Sequence, residues 1–190
     1  SKAEECTDNE LYLNAVNTMY TLEPSANSAY YLYVLYSGRN EYDKAVKYLE
    51  EAIASEETDA LTDADYYYRL ARYCVNADKT KAYSAAQKAM ELDPSFSGKA
   101  YMIMGTIWGS TVCSGNEIER RAPYWVAVDF LVKARNADPE LAEEANNFIR
   151  QYSGYFPKTA DAFMYDIIDG QSYTVSCGGL RATTTVRTQN

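Results

Sequence analysis

A pattern recurring at roughly 34 residues constrains this chain more than any other feature, because helix pairs repeated at that interval bury their apolar faces only by stacking on neighbours. The clearest copy runs from Ala26 to Glu57. Its second half carries Asn40-Glu41-Tyr42-Asp43-Lys44-Ala45 and then Leu49 and Ala52, a spacing that puts small and large apolar residues on one helical face. A second copy spans Ala64 to Pro94, with Tyr67, Leu70, Ala71 and Cys74 on the first helix and Ala82, Ala86 and Ala89 on the next. A third starts near Gly98 with Tyr101, Met104, Gly105 and Trp108, and resumes with Ala127, Leu131 and Ala134. Leu22-Glu23-Pro24, Glu91-Leu92-Asp93-Pro94 and Ala137-Asp138-Pro139 close the units, since proline cannot continue a helix.

The third copy is irregular. The segment between its helices, Gly109 to Ala122, is about ten residues longer than the repeat needs, which marks this insertion (109–122) as a candidate for specialised function. Upstream, Tyr12, Val16 and Met19 give Asp8 to Tyr20 the spacing of a second helix from a preceding repeat, so the chain is expected to begin inside a longer array. Downstream, Leu141, Ala142, Ala145, Phe148, Ile149 and Tyr152 form the stripe of a capping helix, with Pro139 at an allowed first-turn position. After Phe156-Pro157 a short helix is expected around Ala162 to Ile168. Two β-branched runs then flank Gly178-Gly179, the signature of a hairpin that must pack on the helices to persist. The predicted architecture is all-α: a solenoid of antiparallel helix pairs with a capping helix (1–152), then a C-terminal extension with a short helix and a small β-hairpin (153–190).

Composition excludes several function classes. At 190 residues and 47% apolar, the chain can bury a core. A net charge of -9, with 18 scattered Lys and Arg, disfavours nucleic acid and anionic membrane as partners. No window approaches the roughly 18 apolar residues of a membrane span. With no initiator Met and no leader pattern in Ser1 to Glu10, the expectation is a trimmed chain or a mature product. The chain has no His, and Cys6, Cys74, Cys113 and Cys177 form no CxxC pair, so neither a metal site nor a bound cofactor is expected. The same absence removes Ser-His-Asp and Cys-His catalysis, and no P-loop, GxGxxG or HExxH motif is present. Glu117, Glu119 and Arg120-Arg121 in the insertion, and Asp161, Asp166 and Asp169 in the tail, read as solvated surface charge, so the protein is expected not to be an enzyme.

The spacing of Leu32, Tyr36, Tyr42, Ala45, Leu49 and Ala52, repeated around Leu70 to Ala89 and Gly105 to Ala134, resembles the tetratricopeptide-repeat (TPR) family over roughly residues 8 to 152. The C-terminal part, with Tyr155-Phe156-Pro157, Asp161-Ala162-Phe163, Gly170-Gln171-Ser172-Tyr173-Thr174-Val175 and Thr183-Thr184-Thr185-Val186-Arg187, resembles the tail of envelope-associated TPR proteins of Bacteroidetes-type bacteria. That resemblance implies a periplasmic or outer-membrane-associated protein, with a cytoplasmic one as the alternative. Three features depart from the TPR pattern: Tyr33 stands at a normally small position, the second inter-helix turn is short, and the third copy has its insertion.

In TPR proteins the first helix of each pair lines a concave groove. Matching residue by residue places Asn27, Tyr30, Val34, Asp65, Tyr68, Arg72, Lys99, Met102 and Thr106 there. Tyr30, Tyr68 and Met102 would form an exposed stripe suited to an apolar peptide side chain, with Arg72 or Lys99 taking a carboxylate. Alternatively these aromatics only fill the groove or pack on a neighbouring domain. The Lys and Asn set that clamps C-terminal carboxylates in some co-chaperone TPR domains is not reproduced. Most of the 19 tyrosines are expected to serve ordinary packing. Cys74 falls on a core face, whereas Cys113 and Cys177 sit in loop-like surroundings. They are either a disulfide stapling the insertion to the hairpin in an oxidising compartment, or two free thiols in a cytosolic protein.

The resulting expectation is a module that binds a protein or peptide of unspecified identity without inserting into a membrane. Two alternatives stand beside it: a structural subunit of an envelope assembly that makes contacts through the insertion and hairpin, and an accessory domain of an enzyme whose catalytic part lies elsewhere. Oligomeric state is left open.

Overall fold

Several helices of this chain begin where a short polar side chain accepts an otherwise orphaned backbone N–H. The computed structural model describes residues 10–189, which are mostly helical. Their order is α1 (Glu10–Leu22), α2 (Ala26–Gly38), α3 (Tyr42–Ala54), α4 (Ala60–Cys74), α5 (Lys79–Leu92), α6 (Ser97–Gly109), α7 (Glu117–Ala137), α8 (Ala142–Ser153) and α9 (Thr159–Phe163), followed by β1 (Ser172–Cys177) and β2 (Leu180–Thr185). Asp8, the expected start of the first helix, and Cys6 lie outside the described residues. Ser25 caps α2 in a capping box with Ser28, while Asp59 and Asp78 accept from Thr62 N and Lys81 N at the starts of α4 and α5.

The Asp-Pro dipeptides build one local structure twice. Asp93 and Asp138 each end a helix in nearly the same conformation, with φ -140 and ψ 110 in one and φ -139 and ψ 104 in the other. Each then caps a short 3-10 turn, Pro94–Phe96 or Pro139–Leu141, that leads into the next helix. Pro24 works differently: it precedes the Ser25 cap directly and no 3-10 turn intervenes.

Packing follows the repeat. The helices associate most closely as the pairs α2/α3, α4/α5 and α6/α7, and each pair rests on the next, with α8 closing against α7. Small residues set the spacing. Ala45, Leu49 and Ala52 of α3, Ala82, Ala86 and Ala89 of α5, and Ala127, Leu131 and Ala134 of α7 are fully buried. At Gly105 of α6 an added Cβ would stand 2.8 Å from Leu131 Cγ and 3.2 Å from the Ala127 carbonyl oxygen, so α6 and α7 touch at a position only glycine fits. Tyr33, at the position where a small residue is usual, is buried edge-on against the Tyr73 ring with centroids 5.8 Å apart.

Two expectations need correction. About half of the supposed insertion is helix: Asn116 and Glu119 form a capping box that starts α7 at Glu117, leaving only 110–116 outside helices. Pro123 is buried in the N-terminal part of that helix. The tail helix runs Thr159–Phe163 rather than from Ala162 to Ile168. It stops because Asp166 takes a left-handed conformation, φ 56, and the Ile167 N–H turns back to the Ala162 carbonyl.

The hairpin forms where expected. Gly178 and Gly179 both have positive φ, 61 and 76, the twist that a two-residue turn between antiparallel strands requires. Its inner face buries Val175, Leu180 and Thr184, and Val186 is buried just beyond β2. Four polar contacts dock it on α7, one of them from Arg187 Nη1 to the Trp125 carbonyl at 3.3 Å. Trp125 Nε1 donates to the Arg187 carbonyl at 2.7 Å, Arg187 pairs with Asp129, and the Thr184 hydroxyl donates to the same carboxylate. Residues 186–189 then run between 157–159 and 169–171, exchanging backbone hydrogen bonds with both. Cys113 and Cys177 are joined as a disulfide across a Cα separation of 5.6 Å, tying the 110–116 loop to the end of β1.

Two stability measurements probe this packing. In urea unfolding, Gly105→Ala should lose about 1–3 kcal/mol from overpacking, although alanine is the better helix former in isolation. An unchanged midpoint would mean that α6 and α7 separate freely. The double variant Cys113→Ala, Cys177→Ala should retain its helical circular dichroism while losing about 2–4 kcal/mol, since it frees a long covalent loop in the unfolded chain.

Candidate functional site

The first helices of successive pairs present one side to a shared concavity, and α8 supplies its far wall. Tyr68 and Arg72 of α4, Lys99, Met102, Ile103 and Thr106 of α6, and Leu141, Glu144 and Phe148 from the start and body of the last repeat-like helix enclose an open groove of about 400 Å³. Five residues expected from the sequence, Tyr68, Arg72, Lys99, Met102 and Thr106, therefore meet in one place. The groove has an apolar floor, where Met102 is buried and Ile103, Leu141 and Phe148 are half-buried.

Its charge is concentrated beside an aromatic ring. Arg72 Cζ lies 5.7 Å and Lys99 Nζ 5.8 Å from the Tyr68 ring centroid, and Lys99 also stands 5.6 Å from that of Phe96. Both cations are exposed, and among the described residues neither makes an ion pair. A cation held over a ring face is oriented without being neutralised. Glu144 stands on the opposite wall, so the groove pairs a cationic edge with an acidic one.

The other expected residues lie elsewhere. Tyr30 stacks on Tyr66 with centroids 4.9 Å apart, and Arg69 covers the Tyr30 ring at 5.5 Å. Asp65 is occupied by Arg69 at 2.6 Å. Val34 is half-buried against the core and Asn27 is exposed away from the groove. The anticipated exposed stripe of Tyr30, Tyr68 and Met102 is thus not formed: Met102 is covered and Tyr30 belongs to a separate tyrosine stack. A second, smaller depression of about 250 Å³, lined by Tyr33, Arg69, Arg72 and Tyr73, shares Arg72 with the groove. The wall from α8 is not legible from the sequence, because the Leu141 to Phe148 spacing reads equally as the apolar stripe of a capping helix.

The charged residues of the former insertion have local duties. Glu117 pairs with Arg121 at 2.8 Å and Glu119 accepts from Asn116 N at 2.7 Å, both at the start of α7. Among the described residues no group of Cys, Asp and Glu is arranged to hold a metal ion, and no described helix is long and apolar enough to cross a membrane. Cys74 is a buried free thiol whose pKa is pushed up by burial. No protein-family model matches the chain, and no curated protein matches it. The groove's own chemistry must carry any functional assignment.

Burial pushes the Tyr33 hydroxyl up to about 12, and a hydrogen bond to Glu51 pushes Tyr20 to about 12. A raised phenol pKa favours the neutral form in the fold, so this stability is complete below the ordinary value of about 10 and is lost as pH rises through about 12. Following phenolate absorbance against pH should show a late-ionising fraction that shrinks in Tyr33→Phe. A single transition at the ordinary value would contradict the packing around Tyr33.

Proposed function

We propose that this chain is a TPR-type helical-repeat module that binds a protein or peptide, without catalysis, in the groove between α4, α6 and α8. The observation that carries this reading is the pair of unneutralised cations, Arg72 and Lys99, poised on Tyr68 above an apolar floor. Such a site suits a peptide that presents a carboxylate beside an apolar side chain: the floor supplies the burial, and the cations supply orientation and selection. In a chain of net charge -9, a local cationic edge is a feature that an acidic ligand would single out. The Cys113–Cys177 disulfide favours a disulfide-permissive compartment, in keeping with the periplasmic or envelope location that the tail resemblance implies.

A second reading draws on the hairpin. Its sheet has two strands, so among the described residues the outer edges of β1 and β2 themselves lack a ladder partner, and an envelope partner adding a strand there would make the chain a structural subunit.

A random peptide library displayed on phage and selected on immobilised protein separates the two. The groove reading expects enrichment of Asp or Glu next to Leu, Met or Phe, and a loss of affinity of at least about tenfold in Arg72→Glu, Lys99→Glu, because like charges then face the ligand. Selected peptides that bind the variant as well as the parent would move the site to the hairpin.

A further inference from the structure

The same chain displays an apolar surface with a carboxylate at its centre, the ligand chemistry this groove is suited to take. From the last residue of α9 toward β1, Phe163 is 74% exposed, Met164 80% and Ile168 65%, and Tyr165 is exposed beside them. Single exposed apolar residues are ordinary, but four within six positions form a patch of the kind that marks an interaction site. Asp166 sits in the middle of it. Its left-handed backbone, φ 56, makes the turn that turns the flanking apolar side chains outward, and among the described residues its carboxylate has no ion pair. The turn is held in place from behind: the Ile167 N–H bonds to the Ala162 carbonyl and Asp169 accepts from Thr188 N at 2.7 Å. It is a presented knob on a fixed base, and none of its residues lines the groove.

We infer that the 163–168 turn of one copy docks in the α4/α6/α8 groove of a second copy, so that the chain associates head to tail. The inference rests on the groove being a binding site. Complementarity of charge and polarity chooses the occupant. The knob offers large apolar side chains around one carboxylate, and the groove offers half-buried Ile103 and Phe148 over buried Met102, with the two exposed cations Arg72 and Lys99 on one edge and Glu144 on the opposite wall, so Asp166 is matched by the cationic edge. Repulsion between copies of net charge -9 acts at longer range and is screened beyond about 8 Å at physiological salt, whereas the local pairing is made in contact. Because the two surfaces differ, the contact is heterologous: each copy keeps one free groove and one free knob, and growth proceeds to a ring or an open filament.

Sedimentation velocity on the whole chain at 0.15 M salt, over a wide concentration range, tests this with two variants. Arg72→Glu, Lys99→Glu disables the groove, and Phe163→Ser, Met164→Ser, Asp166→Asn disables the knob; all five positions but Asp166 are unstrained, and Asn tolerates its conformation. The parent should gain mass with concentration beyond a dimer. Each variant, with unchanged circular dichroism, should stay monomeric or associate at least about tenfold more weakly. Mixed one to one, the two variants should form a dimer and nothing larger, since only one intact groove and one intact knob remain to meet. A monomeric parent, or association that either variant leaves unaltered, overturns the head-to-tail contact. Titrating the labelled synthetic peptide 161–170 keeps the two readings apart. If that peptide fails while phage-selected peptides still bind the groove, self-docking alone is wrong; if neither binds, the groove reading falls with it.

Discussion

The close contact of helices at small residues is the constraint from which the rest of this structure follows. Ala45 and Ala52, the alanine row of α5, and Gly105 against Leu131 let paired helices approach until backbone and side chain touch. At that distance each pair has one tightly fitted face and one apolar face left over, which only the next pair can cover. Successive pairs are therefore held in a fixed order, and their first helices expose equivalent sides in a row. The groove is a product of that order. Arg72 on α4, Lys99 on α6 and Phe148 on α8 are far apart in sequence and adjacent because the helices that carry them cannot slide.

The C-terminal extension solves a different problem. A two-stranded hairpin is marginal by itself, and this one is stable through what it rests on. Trp125 and Asp129 of α7 hold Arg187 and Thr184, Val175 and Val186 fill the contact, and the disulfide fixes the far end. The 163–168 turn is tied at its base by the Ile167 N–H to the Ala162 carbonyl and by Asp169 to Thr188, and among the described residues its apolar side chains stay exposed.

Much of the architecture was legible because its signals are local and periodic. The alanine rows, the Asp-Pro endings and the Gly178-Gly179 turn each specify their structure within a few residues, and the helices and hairpin lie close to where those signals put them. The 109–122 segment was harder: Asn116 and Glu119 start a helix as a reciprocal pair three residues apart, a weak signal beside the proline at 123 that points the other way. The Asp166 turn was invisible for a related reason, since a left-handed residue inside an apolar run looks like a continuing helix. At the groove, repeat matching found the residues of α4 and α6. It could not foresee that Arg69 would draw Tyr30 and Asp65 into a stack of their own, because that depends on side-chain partners rather than spacing.

The most direct test of the groove as the binding surface is methyl nuclear magnetic resonance during titration with a library-selected peptide. The account requires the Met102, Ile103 and Leu141 methyl signals to shift together and saturably, while Val175, Leu180 and Val186 under the hairpin stay still. Movement of the hairpin methyls with a silent groove would contradict it and place recognition at the C-terminal extension.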